Sequence, residues 1–208
     1  MTYRILNKWT RVAAMLPAAF LLTGCLSTYS YRTAETTLCQ AEAGSDWHGR
    51  GTALGFERNG VKYHFRMDDL GSKNSDRYGA EGKFWVLVDG YTSGSAAGAY
   101  APAMVFDPRD AVIEIDGRRI AALPELWEAA IIRGYYRPLR QVAIPANLNL
   151  LGRPVPTSFF MAFSMPDPGT HSTYRIHPGS IALDGVKTPL PAFSSCYKSG
   201  EGRWTPVH

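Results

Sequence analysis

The sequence predicts a mainly β domain: an antiparallel β-sandwich or small barrel with one short capping helix. Three observations lead there. Val61, Tyr63, Phe65 and Met67 alternate with Lys62, His64, Arg66 and Asp68, a period of two that buries one face of a strand and wets the other. Asn59-Gly60, Asp116-Gly117 and Asp184-Gly185 are dipeptides that favour two-residue hairpin turns. Residues 84–88 (Phe-Trp-Val-Leu-Val) and 159–163 (Phe-Phe-Met-Ala-Phe) are short apolar runs of the kind found in central strands.

Taken in order, 52–57 pairs with 61–67 across the Asn59-Gly60 turn, and 84–88 follows as a buried strand. Ile113-Glu114-Ile115 enters the Asp116-Gly117 turn. The capping helix is expected at 124–133, because Leu123, Trp127, Ala130 and Ile131 fall at i, i+4, i+7 and i+8, one helical face. Pro124 suits its first turn, Glu125 and Glu128 its positive end, Arg133 its negative end and Gly134 the position just beyond. The run 159–163 adds another central strand, and Ile181-Ala182-Leu183 enters the Asp184-Gly185 turn.

Of the 22 basic residues, Arg4, Lys8 and Arg11 lie in the first 24 positions, which hold no acid. That leaves 19 basic against 18 acidic residues in the rest of the 208-residue chain. A near-neutral domain lacks the basic face of a nucleic-acid binder. The positive start, the apolar run 12–23 and the closing Leu22-Thr23-Gly24-Cys25 have the order of a secretory signal. Those four residues resemble the lipobox of bacterial lipoproteins: an aliphatic residue, a small residue and Gly or Ala before a Cys. The resemblance implies that the thiol of Cys25 takes a diacylglyceryl group and that cleavage before it makes Cys25 the first mature residue and membrane anchor. Leu26 in place of Asp implies the outer membrane. The expected organisation is a signal peptide over 1–24, a lipidated Ser/Thr-rich tether over 25–38 and a single β-rich domain over 39–208. Residues 26–208 resemble no family.

In an oxidising compartment Cys39 and Cys196 form an even pair, which predicts a disulfide between the first and last elements. Other constellations are weaker. His171 and His177 are too far apart to share a metal if extended, and no His pair has helical spacing, so neither metal nor cofactor is expected. Ser93 and Ser95 lack the flanking glycines of a nucleophile elbow. Asp68 and Asp69 point to opposite faces of a strand, and Asp107-Pro108-Arg109-Asp110 is a turn signature. The segment Arg133-Gly134-Tyr135-Tyr136-Arg137-Pro138-Leu139-Arg140 is the favoured partner site, since Arg and Tyr are enriched at binding hot spots. Arg133, Tyr135, Tyr136, Arg137 and Arg140 would meet an acidic protein, a lipid headgroup or a glycan.

The expected function is therefore non-catalytic: a membrane-anchored periplasmic lipoprotein that binds a protein or cell-wall partner. One alternative is an immunity lipoprotein neutralising a toxin that acts in the periplasm. Another is a cell-wall hydrolase, which would bring His48 or His64 within about 3 Å of an Asp or of a shared water.

Overall fold

The structure is a computed structural model, and it describes residues 29–42, 46–69, 82–93, 102–132, 135–149, 158–166, 168 and 172–204. The chain divides into two compact units. One comprises Met1–Arg32 with Glu201–His208, of which only the ends of two strands are described. The other, Thr33–Gly200, carries the features discussed below.

The fold is mainly β, as expected, built as a nearly closed antiparallel sheet and a second, smaller sheet. The strands are β1 (Tyr29–Ala41), β2 (His48–Arg50), β3 (Ala53–Arg58), β4 (Val61–Asp69), β5 (Phe84–Ser93), β6 (Met104–Phe106), β7 (Val112–Ile115) and β8 (Arg118–Ile132). They continue as β9 (Tyr135–Val142), β10 (Ala146–Asn147), β11 (Ser158–Phe163), β12 (Tyr174–His177), β13 (Ser180–Leu183), β14 (Val186–Pro189) and β15 (Phe193–Trp204). The large sheet runs β1-β15-β12-β7-β8-β11-β5-β4-β3-β2, with β9 attached to β8 beside β7. Its two ends come together where the Ala41 amide donates to the Gly51 carbonyl at 3.1 Å. The small sheet runs β10-β6-β13-β14.

All three expected hairpins form, because each turn needs two residues at positive φ. Asn59 and Gly60 supply 53° and 74°, Asp116 and Gly117 50° and 72°, and Asp184 and Gly185 49° and 80°. Asn, Asp and Gly tolerate that region best. On β4 the alternation is realised as read: Val61, Tyr63, Phe65 and Met67 are buried. Phe65 meets Phe106 at 6.1 Å and Phe193 at 6.2 Å between ring centroids, which packs the small sheet against the large one. Gly90 on β5 permits this closeness, since a Cβ there would run into the Met104 sulfur.

The capping helix at 124–133 is not formed. Residues 118–132 are strand β8, and the one helical turn among the described residues is a 3-10 turn at Pro108–Asp110. The reason is tertiary. Leu126, fully buried, pairs with Met161 of β11 on one edge and Val142 of β9 on the other. Sheet hydrogen bonding on both edges overrides a helical spacing of apolar residues that is weak evidence on its own.

Candidate functional site

Strand β8 is longer than its neighbours, and this creates the most distinctive surface of the Thr33–Gly200 unit. On one edge β7 covers Arg118–Ala121, and β9 covers Leu126–Ile132. On the other edge β11 pairs from Ala122 to Glu128, and the residues before Ser158 lie outside the described ones. Residues 129–132 and 135–138 therefore form a two-stranded ribbon with no third strand among the described residues. Ile131 is 61% exposed and Leu139 57%.

Register decides which face each ribbon residue takes, because cross-strand partners share a face. Leu126 and Val142 pack into the core. By alternation Glu128 and Ala130, with their partners Arg140 and Arg137, lie on that same side. Trp127, Ala129 and Ile131, with Gln141, Pro138 and Tyr136, lie on the other. Leu139 is the extra residue of the bulge between these registers. The phenol of Tyr136 and the guanidinium groups of Arg137 and Arg140 thus do not converge on one surface, as a helix followed by a loop had suggested. Tyr135 is the first residue of β9, paired with Ile132. Arg133 lies outside the described residues.

Arg140 is exposed and also paired. Its Nε donates to Glu128 Oε2 at 2.7 Å, and Glu128 is only 8% exposed. Sequence reading placed Glu128 at a helix start and so missed this partner; no local signal reveals a contact set by the β8–β9 register. The outer face bears an aromatic cluster: Trp85 meets Trp127 at 6.2 Å and Phe160 at 5.8 Å, both edge-on. Phe160 is buried within this cluster, and Ala129, Ile131 and Pro138 of the ribbon lie on the same side as Trp127.

Cys39 and Cys196 stand at disulfide distance on adjacent strands β1 and β15, with Cα atoms 5.5 Å apart. Cys25 lies outside the described residues. No helix among the described residues is long and apolar enough to cross a membrane. No group of three or more His, Cys, Asp or Glu that could hold a metal is found among them.

The histidines meet other partners than those weighed from the sequence. His64 Nε2 shares a 2.9 Å hydrogen bond with Ser93 Oγ, and its ring stacks on Tyr91 at 4.4 Å. Burial, then the charge of Lys62, lowers its pKa, which favours the neutral ring. His48 is exposed on β2, and His171 lies outside the described residues. His177 Nε2 stands 3.0 Å from Glu114 Oε2 across β12 and β7. Next to that pair, Glu114, Thr173, Arg175, Ser194 and Ser195 line a shallow groove of about 290 Å³. Arg175 bonds Glu42 and holds its carboxyl below the usual range, and Ser194 adds a hydroxyl donor at 2.9 Å.

The carboxylates serve the fold. Asp69 is buried and accepts from the Thr37 hydroxyl at 2.6 Å and from the Tyr174 hydroxyl. Asp68, on the opposite face, accepts from Thr52 at 2.8 Å and pairs with Arg66 at 3.0 Å. Arg66 also reaches Asp89 at 3.3 Å, and burial raises the pKa of Asp89. Asp107 caps the 3-10 turn by accepting from the Arg109 amide at 3.0 Å.

Comparisons of the chain with family models, with curated proteins and with solved structures found no match.

Proposed function

We propose that this chain is a lipid-anchored envelope protein that works by binding, and that the β8–β9 ribbon is its contact surface. The observation that carries this reading is the ribbon itself: Ile131 and Leu139 are exposed on the β8–β9 strand pair. Exposed aliphatic side chains on an extended element cost solubility unless something covers them. The contact is made through the faces. Pro138 lacks an amide hydrogen and the bulge at Leu139 disrupts the ladder, two devices that discourage pairing along an edge. Lipidation at Cys25, read from the lipobox resemblance, would hold this surface at the membrane.

The test is a photo-crosslinking residue at position 131 in the producing cells, with the same residue at Glu57 as a control. Capture at 131 alone supports the reading, and equal capture at both positions, or at neither, refutes it. In parallel, Cys25→Ser should move the protein from the membrane to the soluble fraction. If that variant stays with the membranes, the anchor assignment fails.

A further inference from the structure

We infer that the outer face of β2–β5 holds a second binding site, a slot over Gly55 between His48 and His64 that takes one pyranose ring of a neutral glycan. In the large sheet β11 separates β5 from β8, so this site and the β8–β9 ribbon stand or fall independently. The crosslinking control at Glu57 scores captured protein, which a sugar in the slot does not supply.

Register builds the slot. Gly55 pairs with His48 of β2 on one side and with His64 of β4 on the other, and His64 pairs with Tyr91 of β5. Paired residues share a face, and the chain neighbours Trp47 and Phe56 are buried, so these four lie on the outer side. The His64 ring stacks on Tyr91 at 4.4 Å, 12° from parallel, and Nε2 shares a 2.9 Å hydrogen bond with Ser93 Oγ. Its other face is thereby turned toward the strand of Gly55 and fixed before a ligand arrives, which lowers the ordering cost of binding.

Glycine inside a strand weakens it, and marks a bulge, a tight bend or a place where another group approaches closely. Gly55 is not required by the backbone: its φ is not positive, and its pairings with β2 and β4 run without a register shift. Among the described residues, the nearest atom to a Cβ added there is the His48 carbonyl oxygen at 3.4 Å, an ordinary contact. A side chain would fit, and its absence leaves a gap between two imidazoles.

The gap selects its occupant. β2 and β4 lie two strand spacings apart, about 9.6 Å. A ring touching both walls needs about 3.5–4.0 Å to each, about 7–8 Å in all, so a single ring enters. A chair with hydrogens on both faces is thicker than a flat aromatic ring and fills this width better. Its C–H groups meet the electron-rich faces of the walls. A metal ion fits poorly, because imidazole lone pairs lie in the ring plane and that of His64 is held parallel to Tyr91. Glu57, Lys62 and Ser93 border one end, and Arg66 and Asp89 the other. Two acids balance two bases, so no net charge selects an ion, while donors and acceptors for hydroxyl groups are both present.

The experiment uses the purified full chain carrying Cys25→Ser, so that no detergent is needed. Saturation-transfer difference NMR is run with chitotetraose, a β-linked amino-sugar chain, and with maltotetraose, an α-linked glucose chain. Sorbitol, which has no ring, and indole, which is flat, are compared by the same method, and nickel(II) by titration calorimetry. The expected result is transfer to the ring protons of one or both tetrasaccharides and none to sorbitol; which of the two binds assigns the linkage. Gly55→Val should abolish the transfer while the melting temperature holds or rises, since a β-branched residue suits a strand. His48→Ala, at an exposed position, should weaken binding about three- to tenfold, the worth of one aromatic contact. No transfer to either tetrasaccharide, or equal transfer to sorbitol, overturns the inference. Binding of indole or nickel(II) in place of sugar overturns it as well. So does sugar binding unchanged in Gly55→Val or in His48→Ala, and so does a lower melting temperature for Gly55→Val, which would show that the strand itself requires glycine.

Discussion

Truncating two apolar residues of β8, Leu126→Ala and Ile131→Ala, separates the strand from the helix expected over the same residues. As a strand, β8 buries Leu126 completely and leaves Ile131 61% exposed. Removing three carbons from Leu126 forfeits about 2.4 kcal/mol of transfer free energy, at about 0.8 kcal/mol for each methylene. The cavity between Met161 and Val142 adds to that, so a loss of about 3 kcal/mol is expected. Ile131→Ala vacates mostly solvated space and gives up only β-propensity, at most about 1 kcal/mol. A helix over 124–133 would bury Ile131 with Leu123 and Trp127 on one face, with Leu126 beside them, so that Ile131→Ala would cost as much as Leu126→Ala. Urea unfolding of both variants, followed by circular dichroism and tryptophan fluorescence, measures the difference. Equal losses, or a larger loss for Ile131→Ala, would refute the placement of β8 and with it the ribbon.

Three further outcomes are expected. Cys39 and Cys196 are separated by 157 residues in sequence, so Cys39→Ser with Cys196→Ser should lower stability by at most about 5 kcal/mol on the loop-entropy model; identical unfolding midpoints for parent and double variant would show that the two sulfurs are not bridged. Tyr174→Phe removes a hydroxyl that donates to the buried Asp69, and a hydrogen bond to a charged group contributes about 1.5–3 kcal/mol; an unfolding free energy equal to the parent's would count against that network. The lowered pKa of His64 means that the unfolded chain takes up the proton first as pH falls. The stability this group contributes is present above its ordinary value of 6.5 and is lost below it. His64→Gln should therefore flatten the decline in melting temperature on acidification through that value, and an unaltered slope would remove His64 as its source.

Much of the architecture is legible in the sequence because its signals are local. Hairpins at 59–60, 116–117 and 184–185 follow from backbone angles that Asn, Asp and Gly adopt at low cost. The inward face of β4 follows from a period of two that any half-buried strand must show, and the runs at 84–88 and 159–163 are strands since they are flanked and short. The meeting of Cys39 with Cys196 was expected from their being an even pair and needed no geometry. What tertiary structure alone decided concerns partners remote in sequence. A helix and a strand both bury part of 118–132, and only β9 and β11 on its two edges select the strand. That choice then assigns the faces of the ribbon, gives Arg140 a carboxylate twelve residues away and puts Ile131 into water. Tyr174 with Asp69, and His177 with Glu114, meet across 105 and 63 residues. Side-chain chemistry says what such groups can do, but sheet order and register say which of them touch, and those are fixed by the packing of the whole core.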